Sequence, residues 1–271
     1  MCQESRGVHS GIVVMMDALG VADKTIKLAD DFYDKKENIL KETQAEYEQL
    51  SKGANELKSD TSQTITFADN VIITWNLKEL NIEEESQKVN PDDLIQYLPS
   101  ASLWIQIFFK HSLKNNILFR GAISIGTYVT RGTSTILGPA IGEASQWYEK
   151  ADWMGVIATP STSITISYLD NVFFQNREKN TSNQKLEHYF VQYDVPCKDK
   201  KRKLWTVSWP MVYQKKEANL APEQEKKRQL STEFLEKFYP NNIPTNTEEK
   251  YFNTILFFDW FANSILCSKV E

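Results

Sequence analysis

Asp17 follows an unbroken apolar run, Gly11-Ile-Val-Val-Met-Met16, and Asp69 sits between two β-rich runs, Thr64-Ile-Thr-Phe67 and Val71-Ile-Ile-Thr-Trp75. A carboxylate at the end of a buried run is costly unless a cation neutralises it. Two such groups side by side repel, and bound Mg²⁺ or Mn²⁺ ions, which take hard oxygen ligands, resolve the repulsion. Metal ions held by paired carboxylates activate a hydroxyl nucleophile and neutralise phosphate charge together. The turn Leu19-Gly20-Val21-Ala22 leads into a helix start, where free backbone N–H groups favour a phosphate chain. The same residues also have plain structural uses, Asp17 as a helix cap and Asp69 as a turn residue.

The elements that must position these residues are legible in outline. The run ending at Asp17 reads as a central strand buried on both faces. A long charged helix over residues 23–56 follows, with a sparse apolar stripe of Ile26, Ala29, Phe32, Ile39 and Leu50. The two β-rich runs form a hairpin turning at Asp69. A polar linker over 78–92 precedes a helix over 91–114, a strand over 117–128, and a turn at Arg131-Gly132-Thr133. A helix over 138–150 opens with Pro139 in its first turn, and 156–158 is a short strand. The order β-α-β-β-α-β-α-β predicts a ferredoxin-like α/β (α+β) sandwich. Strands over 188–195 and 204–209, then helices over 222–238 and 248–266, read as a C-terminal hairpin and helical extension. The expectation is one domain over 1–271, with its core at 10–165 and the extension at 166–271.

The chain has 271 residues, 41% hydrophobic and 12% aromatic, enough for a real core. Its net charge of −5 argues against a broad nucleic-acid face. Cys2, Cys197 and Cys267 are odd in number and far apart, the pattern of a reduced protein rather than a disulfide scaffold. His9, His111 and His188 are scattered and spell no zinc site. No apolar run has the length of a membrane span. The expectation is a soluble, cytoplasmic protein with no nucleic-acid or membrane partner.

Several segments resemble class III nucleotide cyclases, in the same order along residues 10–165. Val13-Val-Met-Met-Asp17-Ala-Leu-Gly-Val-Ala22 looks like the first metal segment of that family, and Thr66-Phe-Ala-Asp69-Asn-Val-Ile72 like the second. Phe119-Arg-Gly-Ala-Ile-Ser-Ile-Gly126 resembles the strand that follows, and Gly138-Pro-Ala-Ile-Gly-Glu-Ala144 the helix start that holds the transition-state residues. The resemblance implies that Asp17, Ala18 and Asp69 hold two divalent ions, Mn²⁺ or Mg²⁺. It implies that Leu19, Gly20, Val21 and Ala22 bind the substrate phosphates, and that the chain acts as a homodimer with active sites at the subunit interface.

Departures from that pattern narrow the expectation. Adenylyl cyclases read adenine with a Lys at the position of Ile65, and their base-reading Asp falls at Pro139 or Ala140 here. A site without those polar partners discriminates poorly in favour of a purine. The GPAxxEA segment, the RGAI strand and the late Tyr193-Asp-Val-Pro196 hairpin look most like the pyrimidine cyclases of the bacterial Pycsar anti-phage systems. That resemblance implies UTP or CTP as substrate, cyclic UMP or cyclic CMP as product, and a separate effector that senses it. The transition-state Asn and Arg of the family fall at Gly142 and Gln146, so another cation must meet the charge on the α-phosphate. Arg120 and Arg131, which flank the fourth strand, are the candidates. The Lys198–Lys203 run reads as a solvated hairpin tip, and the Phe257–Phe261 aromatics as packing.

Overall fold

The computed structural model describes residues 6–21, 26–52, 62–80, 89–132, 135–174, 186–213, 243 and 246–266. Strand β1 (Arg6–Ala18) carries the apolar run, and Ile12, Val13, Val14 and Met16 are fully buried. Helix α1 (Ile26–Lys52) follows, then the hairpin of β2 (Ser62–Phe67) and β3 (Asn70–Leu80). Helix α2 (Pro91–Lys114) leads to β4 (Phe119–Arg131), the short β5 (Thr135–Leu137) and α3 (Pro139–Tyr148). Next come β6 (Gly155–Ala158), α4 (Pro160–Leu169), β7 (Phe190–Pro196), β8 (Lys201–Val207) and α5 (Glu248–Phe261).

The strands form one sheet in the order β2-β3-β1-β4-β6-β8-β7, with β5 on the end of β4. The first four are antiparallel neighbours in the ferredoxin-like order, as the sequence pattern predicts. β6 then adds parallel to β4, and the β7–β8 hairpin extends that edge. The strands are longer than the apolar runs alone indicated. β3 reaches Leu80, into the expected linker, because its ladder with β1 continues past the hydrophobic stretch. β5 and α4 were not expected; the mean apolarity of α4 is real but its buried positions, Thr162, Ile166 and Leu169, are few. The expected helix at 222–238 lies outside the described residues.

One face of the sheet is covered by α1 and α2. Trp104 stacks on Phe108 at 5.4 Å, and Phe108 meets Phe119 of β4 edge-on at 4.8 Å. Helix α2 starts where Asn90 accepts a hydrogen bond from the Asp92 amide at 3.1 Å, with Pro91, Asp92 and Asp93 in its first turn. In α1 the buried stripe is Phe32, Lys36, Ile39, Thr43 and Tyr47, whereas Ile26 and Leu50 are exposed. Phe32 and Ile39 of the expected stripe lie in it, but the sequence hides its full phase because a lysine and a threonine sit in the middle.

The opposite face is covered in part by α3, which lies across β1 and β4. Gly138 lets it do so: φ is +142° there, and a Cβ would stand 2.7 Å from the Tyr128 Cα. Helix α5 packs Phe257 inward, its ring centroid 4.5 Å from that of Trp153 and 4.9 Å from that of Tyr193. Phe257, Phe258 and Phe261 are core residues. Among the described residues no helix is long and apolar enough to cross a membrane.

A charged seam ties α1 to α2. Lys110 Nζ donates to Glu46 at 2.5 Å, and His111 lies between Glu42 (2.7 Å) and Glu46 (2.9 Å). Burial alone would raise the Glu46 carboxyl, but Lys110 and His111 outweigh it and hold it below its ordinary value. A depressed carboxyl stabilises the fold above its unfolded-state pKa, and that contribution is lost as pH falls through the folded value. Glu46→Gln should therefore cost about 1–2 kcal/mol in urea unfolding at pH 7, with the gap from wild type closing in acid.

Candidate active site

Asp17 is the penultimate residue of β1, and the register sets Asn70 of β3 and Arg120 of β4 directly beside it. Paired residues of adjacent strands share a face, so all three side chains emerge on the side that α3 leaves partly uncovered. Asp69 occupies the β2–β3 turn immediately before Asn70. The preceding residue, Ala68, is left-handed at φ +50°, a conformation that disfavours any residue with a Cβ. The turn is gripped from two sides. The Ala18 amide donates to the Asp69 carbonyl at 3.2 Å, and Lys36 Nζ donates to the Ala68 carbonyl at 2.5 Å.

The two carboxylates press on each other. Burial pushes the Asp17 carboxyl up first and the charge of Asp69 adds to it, against the opposing pull of Arg120, and it comes to about 6. Arg120 donates from Nε and Nη2 to one oxygen of Asp17, Oδ2, at 3.3 and 3.2 Å. Its Nη1 reaches the Glu149 carbonyl at 3.5 Å, and the guanidinium lies 5.6 Å from the Tyr148 ring centroid. Tyr148, at the end of α3, is itself pushed above its ordinary pKa by burial and then by Asp17. Lys36 is pulled below its ordinary pKa by burial, against the fields of Asp69 and Glu37.

The donors suit a hard divalent ion. Asp17 and Asp69 offer carboxylate oxygens in mutual repulsion, and the buried Oδ1 of Asn70 has no hydrogen-bond partner among the described residues. The Ala18 side chain is a buried methyl, so only its carbonyl oxygen is available to an ion. Among the described residues no cluster of three or more His, Cys, Asp or Glu side chains is placed to hold a metal. Substrate oxygens and water must complete any coordination shell at this site.

The other expected residues divide. Leu19 is buried and its amide already donates to the Leu118 carbonyl at 2.8 Å, so it has no free N–H for a phosphate. Gly20 turns the chain with φ +73°, and Val21 lies beyond it; Ala22 falls outside the described residues. Arg120 is at the site. Arg131 is not: it ends β4 opposite Arg6, at the far end of the strand from the Asp17–Arg120 pair, on the order of 35 Å away in extended chain. Ile65 is buried in an apolar cluster with Val13, Ile72, Tyr128 and Ala140. A side chain built at Gly142 would meet nothing within 4 Å, and Gln146 is exposed. Between them Glu143 accepts from Ser124 (2.9 Å) and Ser161 (2.7 Å), tying α3 to β4 and α4. Trp147 is flanked by Lys150 at 4.3 Å and Arg202 at 5.5 Å.

Lys36 and Tyr148 were not anticipated. Lys36 was detectable in principle, since a charged residue interrupts an apolar stripe at i, i+4 spacing from Phe32. Tyr148 carried no signal, because its contact with Arg120 joins two elements distant in sequence.

No protein-family model and no curated protein matches the chain. Among the solved structures similar to it are two nucleotide cyclases. One is the adenylyl cyclase CyaB from P. aeruginosa, 14% identical with a TM-score of 0.39, covering 75% of this chain and 94% of that chain. The other is the catalytic core of a rhodopsin-guanylyl cyclase with converted specificity in complex with ATPαS, 13% identical with a TM-score of 0.38, covering 75% of this chain and 98% of that chain. At that distance neither protein's activity transfers to this one.

The strained charge of Asp17 has a measurable consequence. Its folded value near 6 lies above the ordinary 3.8, so the stability contributed by its proton is full below about pH 4 and is lost as pH rises through 6. Ionised Asp17 then costs the metal-free fold on the order of 3 kcal/mol at neutral pH. Asp17→Asn should raise the stability of chelator-treated protein at pH 7 by about 1–3 kcal/mol, and by nothing at pH 3.5. Thermal unfolding at the two pH values reads this directly.

Proposed function

We propose that the chain is a nucleotide cyclase that converts a pyrimidine nucleoside triphosphate, UTP or CTP, to its 3′,5′-cyclic monophosphate and pyrophosphate. What carries the reading is Asp17 paired with Arg120 across β1 and β4, with Asp69 held beside it in the adjoining β2–β3 turn. The motif resemblance along residues 10–165 supplies the reaction class. The missing purine readers, with Ile65 sealed in an apolar cluster, favour a pyrimidine.

In this reading the 3′-oxygen forms a bond to the α-phosphorus, the bond from that phosphorus to the bridging oxygen breaks, and pyrophosphate departs. The hydroxyl proton is lost to solvent. Asp17, Asp69 and the Ala18 carbonyl would hold divalent ions, which would supply Lewis acidity and charge neutralisation. Arg120 presents a permanent cation whose fork spans more than one acceptor, suited to charge developing on phosphate oxygens. The Gly20–Val21 turn approaches the phosphate tail through backbone. The resemblance extends the proposal to a homodimer with its sites at the interface, and to a second messenger read by a separate effector in anti-phage defence.

A second reading has its own observation. Gly142 opens onto empty space and Gln146 faces solvent, so α3 presents no charge where the family stabilises its transition state. That suits a nucleotide-binding module without turnover.

Incubating the protein with Mn²⁺ and each of the four ribonucleoside triphosphates, with products identified by mass spectrometry, separates the two. Cyclic UMP or cyclic CMP is expected; no cyclic product from any triphosphate would leave the binding module. Asp69→Ala and addition of a chelator should each abolish product while circular dichroism stays native. Arg120→Ala should lower kcat about a hundredfold or more, as loss of a charge-stabilising donor does elsewhere.

A further inference from the structure

Lys36 is 1% exposed, with its stem in the apolar stripe of α1 between Phe32 and Ile39. A buried ammonium normally sits against a carboxylate. Among the described residues Lys36 forms no direct ion pair, and its recorded hydrogen bond goes to the Ala68 carbonyl at 2.5 Å. The ammonium also stands 4.6 Å from the Tyr33 ring centroid and 5.7 Å from that of Phe32, contacts that stabilise a cation without neutralising it. The bonded carbonyl belongs to the left-handed residue immediately before Asp69. The burial of this charge is expensive, and it is directed at one turn.

We infer that Lys36 is a positioning residue for the candidate site: it clamps the Ala68 carbonyl, holds the β2–β3 turn in its left-handed form, and so keeps the Asp69 carboxylate beside Asp17. The clamp acts from the side of the sheet that α1 covers, whereas Arg120 meets Asp17 on the opposite face. The two cations therefore do not compete for one position. Removing the clamp frees Ala68 to relax out of a disfavoured conformation, and Asp69 swings with it. The consequence for metal binding rests on the reading of Asp17 and Asp69 as metal ligands; the consequence for the turn does not.

The test uses the full chain with Lys36→Met, which keeps the apolar stem, and Lys36→Gln, which keeps a donor without the charge. Hydrogen exchange of the metal-free proteins is followed at the peptides carrying Ala18 and residues 66–70. Mn²⁺ binding without nucleotide is followed by electron paramagnetic resonance. In Lys36→Met, exchange at those two peptides should quicken at least tenfold with β4, β6 and β8 unchanged, and Mn²⁺ should bind at least fivefold more weakly. Lys36→Gln should fall between Lys36→Met and wild type in both. Unchanged exchange at 66–70, uniform acceleration across the sheet, or tighter Mn²⁺ binding would each overturn the proposal; the last would make Lys36 only a competing charge. Wild type that binds no Mn²⁺, alongside locally quickened exchange in Lys36→Met, would sink the metal reading and leave the clamp standing.

Discussion

The antiparallel register of β1 against β3 and β4 is the constraint on which the site depends. Pairing Asp17 with Asn70 on one side and Arg120 on the other puts an acid, an amide and a base on one face at the end of a buried strand. Strand side chains alternate, so a slip of one residue would drive Asp17 into the core and turn Met16 outward. The buried run Ile12–Met16 forbids that slip, because every alternate residue there already fills one of two packed faces. The hydrophobic core thus sets the address of the charged group.

Charge at the site is arranged in layers. Asp17 and Asp69 repel each other in a half-buried setting, and two cations flank them from different directions. Arg120 lies across the open face, spread over Asp17, the Glu149 carbonyl and the Tyr148 ring. Lys36 stands beneath the turn, where its hydrogen bond goes to the Ala68 carbonyl and its ammonium lies against the Tyr33 and Phe32 rings. A planar guanidinium can serve several acceptors and still be released to another, whereas a compact ammonium makes one short bond well. The division suits a fixed support below and an exchangeable partner above.

Helix α3 shows where this chain departs from the pattern its motifs resemble. Its first turn needs Gly138 to approach Tyr128, and its middle is tied down through Glu143, Ser124 and Ser161. Gly142 is bare and Gln146 is exposed to solvent. Its last turn instead delivers Tyr148 to Arg120 and Trp147 to the cations Lys150 and Arg202.

The sequence by itself determined the local matters. The apolar run before Asp17 specified a central strand, the β-rich pair around Asp69 a hairpin, and the spacing of Leu94, Leu98, Trp104, Ile105 and Phe108 the helix α2. These signals are short-range: periodicity, turn chemistry and capping are written within a few residues of where they act. The long-range matters belonged to the tertiary structure. That Arg120 meets Asp17 while Arg131 ends a strand length away follows from strand register, which no local pattern encodes. That the Leu19 amide is already committed to Leu118 follows from two loops meeting. That Lys36 is buried rather than solvated follows from α1 lying on the sheet with that face inward. Asp17 and Asp69 each sit at the end of a strong local signal, and the fold brings those two ends together.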